Sequence, residues 1–385
     1  MSYTQAQLLA DINQEINGKI GMIANTTDFV NSVAREVNND TTVRSSKRKS
    51  ELSPDLFPDI TQYALPSDTR DFKIIDIPAQ AKRYDGGFGL VPVEQFNTRR
   101  QAGDIAIDDA NGMRTLLIDS DVVSDQTLVS ELDSLTSGGG TWTVVGGATN
   151  LAADGDDYIK GNGSLSFDLS AASQATAGIV NSTLNSFDIL NYLGGSGALF
   201  VWVKLNTPTY VTSFTLKIGS SASNYFTKTI TAKHDGNAFE RGWNLLRFPL
   251  TSLTETGSVN EAVTNYVSIV MDKNVLKISE TDYKFDWITV MNGQIHNVTY
   301  YSKFNWITAA GTYIENSTDP SDILVADTSE YELFVKKGKY KGMQFTNTDL
   351  SVRNEAKADY KEAVAKYEMN NPDESQIMIS TYSHQ

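Results

Sequence analysis

An abrupt change in composition in the middle of the chain is the feature that most constrains its fold. From about residue 125 to residue 293 the chain becomes rich in glycine, serine, threonine and aromatic residues, and short strand-like segments are separated by turn residues. Residues 198–205 and 283–290 are two such segments, and residues 137–140 (Ser-Gly-Gly-Gly) suit a flexible entrance to the region. Many short strands separated by turn residues are typical of an antiparallel β-sandwich or barrel. The middle of the chain is therefore predicted to be an all-β domain.

The segments on either side of this region have the periodicity of amphipathic helices. Apolar residues recur at spacings of three and four along residues 8–23, and Thr4 begins a capping box with Gln7. A second apolar stripe covers residues 29–37, and a third predicts a helix over residues 349–369. Short amphipathic helices of this kind need a partner surface for their apolar faces.

Short strands are predicted to follow the first two helices. Residues 60–65 and 72–77 have the composition of strands, and residues 93–100 suit a short helical piece. Residues 105–107 and 115–118 are joined by a loop with an Asn-Gly pair, which predicts a hairpin.

These patterns predict an α+β chain in which a small helical bundle with a short-stranded β element is interrupted by an antiparallel β-sandwich. The first part of the interrupted domain covers residues 1–124, the inserted sandwich covers residues 125–293, and the second part covers residues 294–385. Neither end alone carries enough apolar residues for an independent core, whereas together they supply three helices and a small sheet. We therefore expect the two ends to fold together.

The net charge and the scarcity of reactive residues limit the functions of the chain. Its 385 residues include 32 Lys and Arg against 47 Asp and Glu, a formal net charge of −15. A negatively charged surface repels the phosphates of nucleic acids. An acidic ring could nevertheless surround a DNA duplex without binding it. The chain has no cysteine, 3 scattered histidines and no Walker-type phosphate loop, so we expect neither an enzyme nor an organic cofactor. No apolar run approaches the ~20 residues of a membrane helix, so we expect no membrane partner.

Two basic surfaces are candidates for binding a partner. The first is a concentrated run in an acidic chain: Arg44, Lys47, Arg48 and Lys49. This run is either a solvated loop or an electrostatic latch for an acidic neighbour or for DNA phosphate. The second is a row on the C-terminal helix, opposite its apolar stripe: Arg353, Lys357 and Lys361. An acidic partner surface could pair with this row.

The residues beyond the C-terminal helix form a third candidate. Ile377, Ile379 and Tyr382 alternate with polar residues, so this tail could add to a partner as an extended strand or lie in a groove. A frayed terminus without a partner is the alternative interpretation.

The sandwich region carries acidic and aromatic candidates. Asp154-Gly-Asp156-Asp157 is interpreted as an acidic turn, with an oxygen-ligated Ca²⁺ as the alternative. Trp202, Trp243 and Trp287 could stack on sugar rings, because a flat apolar face suits the C–H groups of a pyranose. Each of them alternates with apolar neighbours inside a predicted strand, which favours core packing instead.

The flanking segments resemble the head-to-tail adaptor (connector or tail-tubular) proteins of tailed bacteriophages. The resemblance lies in the order of residues 63–68, 72–77, 94–100, 108–112 and 299–303 and of the helix with Tyr360 and Tyr367. It implies a structural protein of the virion neck, made in the host cytoplasm, that forms a ring of about twelve copies below the portal protein. The ring would connect the capsid to tail or nozzle proteins and let genomic DNA pass without specific binding. The row on the C-terminal helix and the tail would then dock the portal.

The middle segment resembles a jelly-roll carbohydrate-binding or galactose-binding-like module. Residues 161–168, 199–203, 242–248 and 285–288 carry this resemblance. It implies a structural calcium ion held by an acidic residue of the last strand, where Asp286 lies. It also implies an alternative function, a tail accessory protein that binds host surface glycans through the sandwich. A glycan-cleaving enzyme is a further alternative, because glycosidases need only two carboxylates.

Overall fold

A computed structural model of the chain describes residues 3–41, 43–51, 56–58, 60–66, 68–76, 89–99, 104–108, 115–118, 125–170, 174–274, 279–294, 297–346 and 348–371. By its internal contacts the chain divides into two units. Unit 1 comprises Met1–Glu51, Pro66–Asp76 and Asn297–Gln385, and unit 2 comprises Leu52–Leu65 and Ile77–His296.

The helices and strands are as follows in chain order. The helices are α1 (Gln5–Glu15), α2 (Thr26–Asp40), α3 (Val93–Arg99), α4 (Thr328–Phe345) and α5 (Leu350–Asn370). The first strands are β1 (Tyr3–Thr4), β2 (Lys47–Glu51), β3 (Gln62–Ala64), β4 (Thr69–Asp76), β5 (Gly89–Leu90), β6 (Asp104–Asp108) and β7 (Thr115–Ile118). The next are β8 (Gln126–Ser130), β9 (Thr143–Gly146), β10 (Ala148–Asp154), β11 (Ser164–Leu169), β12 (Thr176–Asn181), β13 (Ala198–Leu205), β14 (Val211–Ser221), β15 (Asn224–Ile230), β16 (Gly242–Pro249), β17 (Thr254–Thr256), β18 (Tyr266–Lys273) and β19 (Glu280–Met291). The last are β20 (Asn297–Ser302), β21 (Trp306–Ile307), β22 (Tyr313–Ile314) and β23 (Ile323–Leu324).

Two antiparallel six-stranded sheets form a β-sandwich in unit 2. The first sheet has the order β10-β11-β19-β13-β16, with β8 also paired to β19, and the second has the order β17-β15-β14-β18-β12-β9. Their inner faces enclose one apolar core, in which Phe285 stacks on Phe167 at 5.5 Å between ring centroids and meets Phe214 edge-on at 6.4 Å. The predicted β-sandwich is therefore confirmed.

Unit 2 also contains a small sheet of order β3-β7-β6-β5. The predicted hairpin of β6 and β7 is confirmed by their antiparallel pairing. Helix α3 packs on this sheet through Phe96, which contacts Ala106 and Leu117. Residues 52–65 and 77–124 thus group with the sandwich. The domain bounds placed at residues 124 and 293 stay a prediction.

The described residues of unit 1 form α1, α2, α4 and α5 and two small sheets, of orders β2-β20-β4 and β1-β23-β21-β22. One apolar cluster contains buried residues of all four helices: Leu8 and Ile12 of α1, Val33 and Val37 of α2, Phe334 of α4 and Tyr360 of α5. The predicted N-cap is confirmed, since Thr4 Oγ1 accepts a hydrogen bond from the Gln7 N–H at 3.2 Å. The arrangement of the helices as a small bundle stays a prediction.

Three elements of unit 1 differ from the sequence-based expectation. Helix α1 ends at Glu15 instead of continuing to residue 23, because Asn17 and Gly18 adopt left-handed φ values of 56° and 76°. The basic run is not a loop, since Lys47–Glu51 form strand β2, whose backbone pairs with β20. Helix α4 was not predicted. Among the described residues, no helix is long and apolar enough to cross a lipid bilayer.

Candidate functional site

The three tryptophans considered for sugar contact all lie on strands of the first sheet. Leu199, Val201 and Val203 of β13 point into the core, so Trp202 lies on the opposite, outer face. Trp243 and Trp287 are likewise half-buried and outside the core cluster. The expected core packing of these residues is thus not what the structure has, and their contact with a sugar stays a prediction.

Charged side chains occupy much of this outer face. Lys284 is paired with Asp154 at 2.7 Å, and Lys204 is paired with Asp157 at 2.5 Å. The Trp243 Nε1–H also donates to Asp157 Oδ1 at 2.9 Å. The hydrogen bond from Lys284 holds the pKa of Asp154 below its ordinary value. The acidic turn is therefore neutralised by lysines of the sheet, which favours its interpretation as a structural turn.

An irregular segment before β3 covers another part of the same face. Phe57 packs edge-on against Phe200, with ring centroids 4.8 Å apart, and the Arg247 guanidinium lies 5.2 Å from the Phe57 ring. The buried His234 places Nε2 2.5 Å from the backbone oxygen of Gln62, so its Nε2–H donates there. The outer face of the first sheet is therefore partly closed to a ligand.

The outer face of the second sheet holds a groove of about 560 Å³. Strands β9, β12, β14 and β18 contribute to it. Leu216 and Ile269 point into the core, so the residues beside them in sequence lie on the groove side. Val145, Val180 and Val270 give apolar surface, and threonines, serines, Lys217, Tyr266 and Asp272 give polar groups.

Tyr266, Lys217 and Asp272 line this groove, and Tyr225 lies beside it, next to Tyr266 and Lys217. The rings of Tyr225 and Tyr266 are 6.0 Å apart at an interplanar angle of 35°, and the Lys217 ammonium lies 4.8 Å from the Tyr225 ring centroid. Asp272 Oδ2 accepts hydrogen bonds from Ser213 Oγ at 2.7 Å and Thr215 Oγ1 at 3.0 Å, which fix the orientation of its carboxylate. The face thus combines aromatic surface with oriented donors and acceptors.

Sequence reasoning did not select these groove residues. Their signal is present in β18, where Tyr266, Ser268 and Asp272 share one face of a strand whose other face is apolar. Alternation identifies such a face but not whether it is open. That depends on which sheet the remote segments cover.

Asp286 of β19 is the candidate cation ligand. It is fully buried, and its Oδ2 accepts backbone N–H groups of Ile159 at 2.6 Å and Lys160 at 2.9 Å. Within the described part of the chain, its Oδ1 has no hydrogen-bond partner, and neither has the buried Oδ1 of Asp133. Burial, reinforced by the charge of Asp133, raises the pKa of Asp286 to about 6.

Two unsatisfied carboxylate oxygens suit a hard cation such as Ca²⁺, which also accepts backbone carbonyl ligands. The described residues contain no group of three or more acidic or histidine side chains that could hold a metal ion. Backbone oxygens would have to complete the coordination shell. Asp286 as a calcium ligand therefore stays a prediction.

We expect calcium to change the pH dependence of stability through Asp286. The raised pKa means that the folded chain holds this proton more tightly than the unfolded chain does. The free energy of unfolding therefore falls as pH rises from the ordinary 3.8 to about 6, and this one group accounts for about 3 kcal/mol. In urea unfolding with a chelator, Asp286→Asn should remove this fall, and excess Ca²⁺ should offset it in the wild type alone. Asp156→Asn, an exposed change on the neighbouring turn, is the control. Equal pH profiles for the wild type and Asp286→Asn in the chelator would contradict the raised pKa, and a wild-type profile that excess Ca²⁺ leaves unchanged would contradict the calcium assignment.

The basic candidates are separated by the fold. Arg48 donates to the backbone oxygen of Ser45 at 2.8 Å and lies 4.3 Å from the Tyr313 ring, and its part in a latch stays a prediction. Arg44 is exposed in a 3₁₀ turn, Lys47 is exposed in β2, and the Lys49 side chain lies outside the described residues.

The row on the C-terminal helix is placed on α5 as predicted. Lys357 and Lys361 are exposed and line a cleft, whereas Arg353 is half-buried. Ile377, Ile379 and Tyr382 lie outside the described residues.

The chain is similar to several solved structures of carbohydrate-binding modules. A family 11 module of a cellulosomal cellulase of Clostridium thermocellum is 11% identical, with 45% of this chain and 97% of that chain covered and a TM-score of 0.31. A family 30 module is 14% identical, with 44% and 89% covered and a TM-score of 0.32. A module of the β-sandwich superfamily is 13% identical, with 63% and 96% covered and a TM-score of 0.30. The match to an exo-beta-agarase covers 25% of that chain. No protein-family model matches the chain, and no curated protein sequence matches it.

Proposed function

We propose that the chain is a non-enzymatic glycan-binding protein and that the groove on the second sheet is its binding face. One observation carries the proposal: Tyr225, Tyr266, Lys217 and Asp272 lie together on the outer face of that sheet. The groove volume of about 560 Å³ is within the range of small-molecule sites.

The groove chemistry suits a sugar for two reasons. Aromatic rings pack against the C–H faces of pyranoses, and aromatic contacts of this type contribute about 0.5–1.5 kcal/mol each. An oriented carboxylate accepts hydrogen bonds from sugar hydroxyls, and hydrogen bonds to charged groups contribute about 1.5–3 kcal/mol. Asp272 is the one carboxylate among the described residues that line the groove. Hydrolysis of a glycosidic bond needs a carboxylate pair, so binding without cleavage is the function proposed.

Titration of the full chain with a panel of neutral and acidic soluble polysaccharides tests the proposal by calorimetry. Tyr225→Ala and Asp272→Ala should each weaken binding about tenfold, since about 1.4 kcal/mol corresponds to that factor. Tyr158→Ala removes an exposed tyrosine elsewhere on the sandwich and should leave binding unchanged. Unchanged binding in both the Tyr225 and the Asp272 variant would contradict the proposal, and so would release of reducing ends from a bound polysaccharide.

The adaptor role of the flanking segments stays a prediction from sequence. A neck ring of about twelve copies, with its portal, tail and DNA contacts, rests on the order of the flanking elements. The groove proposal is independent of it, because every groove residue belongs to unit 2.

A further inference from the structure

Unit 1 contains a cleft of about 470 Å³ that is lined by residues of α2, α4 and α5. Its charged lining consists of Glu36, Asp40, Lys337, Lys341, Lys357 and Lys361. Four lysines against two carboxylates leave a surplus of two positive charges. This surplus is notable in a chain whose net charge is −15.

The two inner lysines already have anionic partners. Lys337 is largely buried, and its ammonium lies 2.7 Å from Asp40 Oδ2 and 3.0 Å from Glu36 Oε2. Lys341 pairs with Glu36, and the Tyr360 hydroxyl donates to Asp40 Oδ2 at 2.8 Å. Hydrogen bonds from both lysines outweigh the effect of burial and keep the pKa of Glu36 below its ordinary value. The acidic groups of the cleft are therefore fully engaged with these lysines.

The two outer lysines have no such partners. Lys357 and Lys361 are exposed on α5, four residues apart, and neither forms an ion pair with the part of the chain that the structure describes. Residues at this spacing are neighbours on a helix surface, so their like charges repel each other. An anion placed between them would relieve this repulsion.

The positive side chains of α5, Arg353, Lys357 and Lys361, extend over a distance greater than the size of a single small anion. Arg353 precedes Lys357 by one turn and lies outside the cleft lining, and its charge helps to lower the pKa of Asp349. Its buried Nε has no hydrogen-bond partner among the described residues. From Arg353 to Lys361 the helix rises about 12 Å, a distance that three or four residues of an extended chain span. Tyr340 and Val364 add apolar surface to the cleft.

We propose that this cleft binds an acidic peptide segment of a partner protein, with its carboxylates at Lys357 and Lys361. The surplus charge of the cleft selects an anion. Its apolar lining, together with Arg353 one turn beyond it on the same helix, selects a peptide chain over a single oxyanion. Ligand carboxylates would pair with cationic groups for which the described part of the chain supplies no ion pair. Binding should therefore weaken as salt screens the charges.

The test uses the full chain and a fluorescein-labelled peptide of six glutamates, followed by fluorescence anisotropy at about 20 and 200 mM NaCl. The exposed double substitution Lys357→Gln/Lys361→Gln should weaken binding about tenfold or more. Lys366→Gln removes an exposed charge of the same helix outside the cleft and should change affinity less than about twofold. Gln344→Lys adds a charge at an exposed cleft position and should tighten binding about two- to threefold.

The outcomes distinguish a specific peptide-binding site from non-specific electrostatic attraction. A peptide of six glutamines should not bind, and inorganic phosphate at about 10 mM should not displace the glutamate peptide. Absence of binding to the wild-type chain at low salt would overturn the proposal. Equal affinity of the wild type and the double variant would do the same, as would full displacement by phosphate. Circular dichroism of each variant checks that it is folded.

Discussion

Replacing Phe285 with alanine should lower the free energy of unfolding of unit 2 by about 3–5 kcal/mol. Phe285 is fully buried in β19, between Phe167 of the same sheet and Phe214 of the opposite sheet. Alanine removes apolar surface from both contacts and leaves a cavity that rigid strands on two sides fill only partly. Urea unfolding followed by tryptophan fluorescence measures the loss.

A matched change separates this cavity effect from a general sensitivity to truncation. Leu190 is 54% exposed in unit 2, so Leu190→Ala should alter the free energy of unfolding by less than about 0.5 kcal/mol. Phe285→Leu keeps more of the buried volume and should cost less than Phe285→Ala. A loss below about 1 kcal/mol for Phe285→Ala would show that the two sheets do not share one core.

Replacing Gly338 with leucine should destabilise unit 1 by about 3 kcal/mol, although leucine is the better helix former. Gly338 lies in α4, and a Cβ atom at this position would overlap the side chain of Ile12 in α1. Ile12 is fully buried and belongs to the shared helix cluster. The added side chain must therefore push α1 away from α4. Thermal unfolding measured by circular dichroism gives the change.

Two further substitutions on α4 serve as comparisons. Glu332→Leu places the same side chain at an exposed position and should change stability by less than about 0.5 kcal/mol. At Gly342 the nearest atom to a new Cβ would be Ile16 Cγ2 at 3.2 Å, so Gly342→Ala sets a mild crowding against a gain in helix propensity of about 1 kcal/mol. Its net effect should be small. Equal stability of Gly338→Leu and Glu332→Leu would show that α1 does not pack closely on α4.

The sequence predicted those parts of the fold whose signal is local. The sandwich is marked by short strand-like segments between turn residues, α2 carries an apolar stripe of helical period, and α5 buries Ala356, Tyr360 and Tyr367 at helical spacing, so their positions were predictable. Helix α4 was missed because Gly338 and Gly342 weaken its helix propensity. The physical reason for these glycines is the close approach of α1, a contact across more than 300 residues of chain. A local signal did exist, since Asp327 and Glu330 form a capping box.

The candidate site was less predictable than the fold. Asp286 could be selected from its place on the last strand, whereas its buried Oδ1 and the proximity of Asp133 required the structure. The three tryptophans were selected as possible sugar contacts because they are aromatic. The groove, however, lies on the opposite sheet, which carries Tyr225 and Tyr266. Periodicity identifies two outer faces in a sandwich. Which of them is covered depends on contacts such as that of Phe57 with Phe200, between residues distant in sequence.

Strand β20 pairs on one side with β2 and on the other with β4, and this pairing constrains the order in which the chain can fold during translation. The ribosome makes β2 roughly 250 residues before β20, a delay of about 10–50 s at ordinary rates of synthesis. During that interval α1 and α2 have neither α4 nor α5 to cover their apolar stripes. All the strands of the sandwich emerge in the meantime and can pair with one another. The nascent N-terminal helices are therefore the part of the chain with the longest need for protection by chaperones.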